Sequence, residues 1–301
     1  MATLSSWISA LRPRTLFLAI ATSLCGSGIA YSIGKFSIPV FALTLLIATI
    51  LQLLSNMAND LGDYQQGTDI TGERVGPQRA VQSGAITPQL MKRGIYIAIA
   101  GAALTGAALI YIALQFMHPL YIILFLFLGI MSIVAAIRYT AGKNPYGYKG
   151  LGDLFSFTFF GLVSVIGTYF LHTHTLDFRP CLPAIGLGLL TVAVLNINNM
   201  RDMDNDRKSG KITIPVRIGI ANAKRYHALL SLGAMACFVG YSLLYASAWY
   251  QYLYLLVFLL FIKILVNIFR TTENRLLDPY LKYTSMCAFI LSVFFSICIN
   301  L

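Results

Sequence analysis

The sequence predicts an all-α integral membrane protein. It has nine transmembrane helices, an N-terminus in the cytoplasm and a C-terminus outside. Three observations carry this. Of 301 residues, 57% are apolar and 11% charged, where soluble domains carry about 25% charged residues. Apolar runs of about 20 residues, long enough to cross a bilayer, recur from end to end. The basic residues are also sorted between alternate loops. This composition excludes a soluble globular enzyme, a disordered chain and a lone membrane anchor. The net charge of +11 does not point to nucleic acid, because the basic residues sit in short loops between apolar runs.

The spans are justified in order. The first, 15–34, follows Arg12-Pro13-Arg14. No small-residue cleavage site follows it, so it reads as a retained span. The others fall at 38–58, 94–114, 119–138, 152–172, 182–200, 226–247, 250–269 and 283–300. Helices are the expected form, since they satisfy their own backbone groups in lipid. With the N-terminus inside, 20 of the 22 basic residues lie on the inner side, and only Lys35 and Arg179 lie outside. That bias fixes the orientation. The outer connections, around 34–35, 115–118, 172–179 and 248–250, are short and nearly uncharged. The inner loops 59–93 and 201–225 are longer and polar, so the chemistry is expected there. The whole chain, 1–301, reads as one domain. Cys25, Cys181, Cys237, Cys287 and Cys298 form no CxxC pair and read as small buried hydrophobes. His172 and His174 read as loop residues.

Eleven residues are acidic, and seven fall in two places. Asp60, Asp63, Asp69 and Glu73 follow the second span. Asp202, Asp204 and Asp206 follow the sixth. Asn59 and Asp63 are four residues apart, as are Asn56 and Asp60, so each pair shares a face if the helix continues past the span. Gly67 then ends that helix. Asn198, Asp202 and Asp206 make a second stripe. Carboxylates on one face repel, and near a bilayer they need a counter-charge. Mg²⁺ supplies one, bound by one or two carboxylates together with phosphate oxygens. Asn59 and Asn198 are 139 residues apart, as are Asp63 and Asp202. That register suggests two four-span halves and a ninth helix, with the site between the halves.

A diphosphate also needs cationic donors. Gly76-Pro77-Gln78-Arg79 follows the first cluster, and Ser209-Gly210-Lys211 the second. A third inner loop carries Arg138, Tyr139, Lys143, Tyr146, Tyr148, Lys149 and Asp153. Arginine binds phosphate oxygens in a two-pronged way. Arg79, Lys143 and Lys211, beside acids and glycines, are the candidates. Arg270, Arg275 and Lys282 read as topology signals.

These motifs resemble the UbiA superfamily of intramembrane aromatic prenyltransferases. Within it, four segments are similar to the branch that prenylates 1,4-dihydroxy-2-naphthoate. They are Asn59-Asp60-Leu61-Gly62-Asp63 through Asp69, Gly76 through Gly84, Tyr139 through Asp153, and Asn198-Asn199-Met200-Arg201-Asp202. The superfamily's first motif is often Asn-x3-Asp-x3-Asp; here Gly67 stands at the third position and Asp69 two residues on.

The resemblance implies a UbiA-like bundle in a bacterial inner membrane, with its active site facing the cytoplasm. A polyprenyl diphosphate would lie with its head at the inner face and its tail among the helices. It would prenylate 1,4-dihydroxy-2-naphthoate with loss of CO2, in menaquinone synthesis. Asn59, Asp63, Asn198, Asp202 and Asp206 would organise Mg²⁺, with Asp60 and Asp69 as further candidates. Arg79, Lys143 and Lys211 would hold diphosphate oxygens. Arg138, Tyr139 and Arg201 would orient either substrate. Two readings compete: the same chemistry on another acceptor such as 4-hydroxybenzoate, and a divalent-cation or lipid-phosphate transporter. The position of the acids at span ends favours an enzyme, since transporters place ionisable groups near the midplane.

Overall fold

The computed structural model describes residues 2–68 and 79–301. Asp69 and Glu73 therefore lie outside the described residues. A short helix, α1 (Leu4–Leu11), starts at Thr3, whose hydroxyl accepts the Ser6 N–H. The chain turns at Arg12 with a left-handed φ of 49° and enters α2 (Leu16–Ser32). Then come α3 (Ile38–Gln65), α4 (Pro88–Leu114), α5 (Pro119–Arg138), α6 (Gly152–Thr173) and α7 (Cys181–Arg201). The short α8 (Met203–Lys208) leads to α9 (Ile214–Tyr245), α10 (Trp249–Arg270) and α11 (Asn274–Cys298). With α1 and α2 taken together, nine helices among the described residues are long and apolar enough to cross a membrane. Prolines in the first turns of α3, α4, α5 and α9 suit starts where an N–H has no partner anyway.

Several helices overrun the spans expected from hydropathy. The second reaches Gln65 rather than 58 and the third starts at Pro88 rather than 94. The seventh begins at Ile214 rather than 226, with a break at Gly219, whose φ is 76°. Lipid sets only the apolar length a helix needs, and the polar flanks still favour helix. The 28 residues of α3 span about 42 Å, against about 30 Å of hydrocarbon. That surplus of helix is the end that carries Asn59, Asp60 and Asp63. Just beyond, Gly67 takes a φ of 81° that a side chain would resist.

The most buried helix is α7, packed between α6, α9 and α11. Its closest approach is to α6. A Cβ added to Gly161 would sit 2.7 Å from both the Ala184 carbonyl oxygen and Gly188 Cα. In that stretch of α6, Phe157–Ile166, the backbone widens into π-helical turns. The second span packs on the first and third, and the sixth likewise on the fifth and seventh. This echoes the repeated register of the acids.

His172 is not a loop residue. It is buried in α6, where its Nδ1 accepts the Ser37 N–H at 3.1 Å. That leaves the proton on Nε2, which meets Ser27 Oγ at 3.0 Å. Phe36 stacks on the ring at 5.1 Å. Spacing along the sequence could not show a partner 145 residues away. The five cysteines are all free.

Candidate active site

Three connections close over one end of the bundle. They are the end of α3 with residues 79–87, the turn between α5 and α6, and the α7–α8–α9 junction. Backbone and side-chain bonds lock them together. Asn205 Nδ2 donates to the Thr68 carbonyl at 3.1 Å, and Ile212 N–H to the Tyr148 carbonyl at 2.9 Å. Arg217 donates to the Lys149 carbonyl at 2.6 Å. Both acidic motifs therefore reach the same region.

The first motif is held by partners on either side. Asp63 is 1% exposed and forms an ion pair with Arg79, which also donates to the Asn59 carbonyl. The Tyr148 hydroxyl donates to the other Asp63 oxygen at 2.8 Å and touches the Thr68 hydroxyl. Asp60 has a different task. Its two oxygens accept the backbone N–H groups of Ala80 and Val81, at 3.1 and 3.3 Å. That anchors the returning loop and turns Asp60 away from the cavity. Asn56 ties α3 to the N-terminal segment by donating to the Leu11 carbonyl and the Thr15 hydroxyl.

The second motif crosses a helix junction. Asp202 N–H donates to the Asn198 carbonyl at 3.1 Å and Asp206 N–H to the Asp202 carbonyl at 2.8 Å, so the four-residue ladder continues. Arg201 faces its own neighbour. Its Nε and Nη2 grip both Asp202 oxygens at 2.8 and 2.6 Å, and Nη2 also donates to Asn198 Oδ1 at 3.0 Å. Its Nη1 reaches Asp278 in α11. Lys211 Nζ lies 3.4 Å from Asp206 and 5.6 Å from the centre of the Tyr148 ring.

The electrostatics follow from burial. Burial pushes the Asp206 carboxyl up to about 6; Lys211 opposes this, and Asp202 and Asp63 add to it. Burial also works against the Lys211 ammonium, but Asp206 and Asp63 outweigh it and raise its pKa. Burial lifts Tyr139 to about 12, so it stays a neutral phenol at physiological pH.

A cavity of about 230 Å³ opens beneath these loops. Its polar rim holds Arg12, Gln52, Asn59, Asn198, Tyr139 and Lys211. One wall is aromatic. Tyr146 stacks on Phe155 at 4.0 Å, Tyr139 meets Tyr146 edge-on at 5.4 Å, and Phe159 continues the row. Deeper down, Ala48, Leu51, Ser132, Phe159 and Ser164 also line a second, largely apolar cavity of about 270 Å³ between α3, α4, α5 and α6. It ends beside Leu126 and Ile130, which are exposed on the outer surface of α5.

The sequence candidates thus divide. Asn59, Asn198, Tyr139 and Lys211 line the cavity. Asp63, Arg79, Arg201, Asp202 and Asp206 lie buried in the ion pairs beside it. Lys143 and Arg138 are exposed and do not line it; Arg138 lies over Gly142 instead. The roles expected of those two therefore receive no geometric support. Arg12, Gln52, Tyr148 and Asp278 were missed. Tyr139 and Tyr146 in the third inner loop are the signal for the aromatic wall; nothing in the sequence marks Asp278.

Among the described residues, no three His, Cys, Asp or Glu side chains stand together as a ready cation cage. The carboxylates are paired with Arg79, Arg201 and Lys211 instead. The donor chemistry still fits Mg²⁺. Among the described residues, Asn59 Oδ1 and Asp206 Oδ2 are buried oxygens that meet no hydrogen-bond donor, which is a cost unless a cation or water meets them. All the candidate ligands are hard oxygens.

The profile of the UbiA prenyltransferase family matches residues 19–293. A 1,4-dihydroxy-2-naphthoate octaprenyltransferase of Haemophilus influenzae is 42% identical over 296 residues, covering 98% of this chain and 95% of the relative. The enzyme of that name from Escherichia coli is 42% identical over 290 residues, covering 96% and 93%. Among solved structures, a UbiA homolog from Archaeoglobus fulgidus bound to GPP and Mg²⁺ superposes with a TM-score of 0.63 at 15% identity, covering 97% of this chain and 99% of that one.

Proposed function

The chain belongs to the UbiA prenyltransferase family, and from that premise we propose that it prenylates 1,4-dihydroxy-2-naphthoate, using a polyprenyl diphosphate and Mg²⁺. The observation that carries the reading is the form of the cavity. A rim of charged and amide groups sits over an apolar channel that leads to the outer surface of α5. It suits a substrate with an anionic head and a long apolar tail. The relatives' names point to an eight-unit tail and a naphthoate acceptor.

Asn59, Asp63, Asn198, Asp202 and Asp206 would hold the metal. When bound, Mg²⁺ would draw off charge from the departing diphosphate. Arg79 and Lys211 sit beside these carboxylates and would bind the remaining diphosphate oxygens. The breaking C–O bond leaves positive charge on the allylic carbon. The π faces of Tyr139, Tyr146 and Phe155 stand along the same cavity to stabilise it. Excluding water from this cavity would protect that carbon from capture. The new C–C bond forms at the ring carbon bearing the carboxylate. CO2 leaves with its bonding pair returned to the ring, giving the reduced form of demethylmenaquinone.

We place the site at the cytoplasmic face of a bacterial inner membrane, on the basic-residue bias of the loops. The test supplies membranes with Mg²⁺, labelled octaprenyl diphosphate and two competing acceptors. EDTA-sensitive prenylation of the naphthoate with CO2 release is expected, and its loss in Asp202→Ala. Transfer to 4-hydroxybenzoate alone would overturn the acceptor. Cation flux into liposomes without transfer would overturn the enzyme.

A further inference from the structure

The side chains of Asp202, Arg201, Asp278 and Arg14 form a ladder of alternating charge from the end of α7 to the base of α11 and the entry to α2. Arg201 is 2% exposed and grips both Asp202 oxygens and Asn198 Oδ1. Its remaining Nη1 donates to Asp278 Oδ1, while Asp278 Oδ2 takes Arg14 at 3.2 Å. Two of the residues proposed to bind metal therefore already carry a guanidinium. A divalent cation at Asp202 competes with those bonds for the same two oxygens. A buried guanidinium stripped of its carboxylate is costly, because water cannot replace the partner.

Asp278 answers that cost. We propose that Asp278 is a positioning residue for the metal site. It keeps a second carboxylate on Arg201, so that Asn198 and Asp202 can release their oxygens to a divalent cation without leaving Arg201 unpaired. This rests on the reading of Asn198 and Asp202 as metal ligands. Asp278 is 76 residues from Asp202 and follows neither acidic motif. Arg14 balances its other oxygen, so the ladder stays near neutrality whichever partner Arg201 keeps.

The test is Mn²⁺ binding to the purified full chain, read from free Mn²⁺ by electron paramagnetic resonance, without and with inorganic pyrophosphate. Asp278→Asn should weaken binding about tenfold, the scale of a typical coupling between sites, because Asp202 is then the one carboxylate left of the two described on Arg201. Arg201→Gln added to Asp278→Asn should restore the affinity. Asp278→Glu should stay near wild type. Arg14→Gln loosens the same corner but leaves Asp278 to Arg201, and should not weaken binding. Unchanged affinity in Asp278→Asn would overturn the proposal. So would equal weakening in the double variant or in Arg14→Gln, since each marks a purely structural role. A wild-type chain that binds no Mn²⁺ in either condition would overturn the metal reading and this proposal with it; tight wild-type binding untouched by Asp278→Asn removes this proposal alone.

Discussion

The Tyr148 hydroxyl donates to Asp63 at 2.8 Å, joining the turn before α6 to the first acidic motif 85 residues away. A hydrogen bond to a charged group contributes about 1.5–3 kcal/mol. Tyr148→Phe should therefore lower turnover about 10–100-fold and raise the Mg²⁺ concentration needed for half-maximal rate. Initial rates across a Mg²⁺ series check this. Wild-type Mg²⁺ dependence would mean that Asp63 keeps its orientation without the Tyr148 hydroxyl.

Arg79 and Asp63 form an ion pair in which both side chains are nearly inaccessible. Removing one partner of a buried pair costs about 3–5 kcal/mol. Arg79→Ala should melt at a clearly lower temperature than wild type in the presence of a chelator. If Asp63 also binds the metal, Mg²⁺ should recover part of that loss. Thermal unfolding in detergent, with and without Mg²⁺, measures both effects.

Burial pushes the Asp206 carboxyl up to about 6, from about 3.9 in a free aspartate, so the native state holds the extra proton between those limits. Its contribution to stability is fully present below about 4 and is lost as pH rises through about 6, flat beyond. Metal-free Asp206→Asn should lack that component. Comparing the pH dependence of the melting temperature in the two proteins isolates it. Identical curves would show that Lys211 keeps Asp206 ionised throughout.

Gly62 lies against Thr140. A Cβ there would sit 2.2 Å from Thr140 Oγ1 and 2.9 Å from its backbone carbonyl carbon. The Thr140 hydroxyl also donates to the Ala58 carbonyl, holding α3 to the turn after α5. Gly62→Ala should destabilise by about 1–3 kcal/mol through overpacking, and it should displace Tyr148 from Asp63. A melting curve reads the first effect and the Mg²⁺ series the second.

The spans were legible because apolar length is a property of the chain itself. So were the acid motifs, since Asn59 with Asp63 and Asn198 with Asp202 keep a four-residue spacing that the helices preserve. What could not be read was ownership. Asp60 and Asp63 look alike on paper, yet Asp60 binds two backbone N–H groups and Asp63 binds Arg79 and Tyr148. Arg201 gives no sign in the sequence that α11 brings Asp278 to it. Lys143 and Lys211 carry the same charge beside similar residues, yet one is exposed and the other buried. Each distinction depends on which chain segment arrives from elsewhere, and local pattern does not encode arrival.

The π-helical stretch of α6 makes this part of the chain sensitive to residue number as well as residue type. Ten residues, Phe157–Ile166, fill a path that tighter turns would cover with fewer. Many single exchanges there would change only one contact. A single deletion between 157 and 166 would let a widened turn tighten to α geometry with His172 kept near Ser27 and Ser37, whereas an insertion would meet turns that are already widened and would rotate everything after it by about 100°. Across homologous chains, the segment between Asp153 and His172 should therefore tolerate the loss of a residue better than the gain of one.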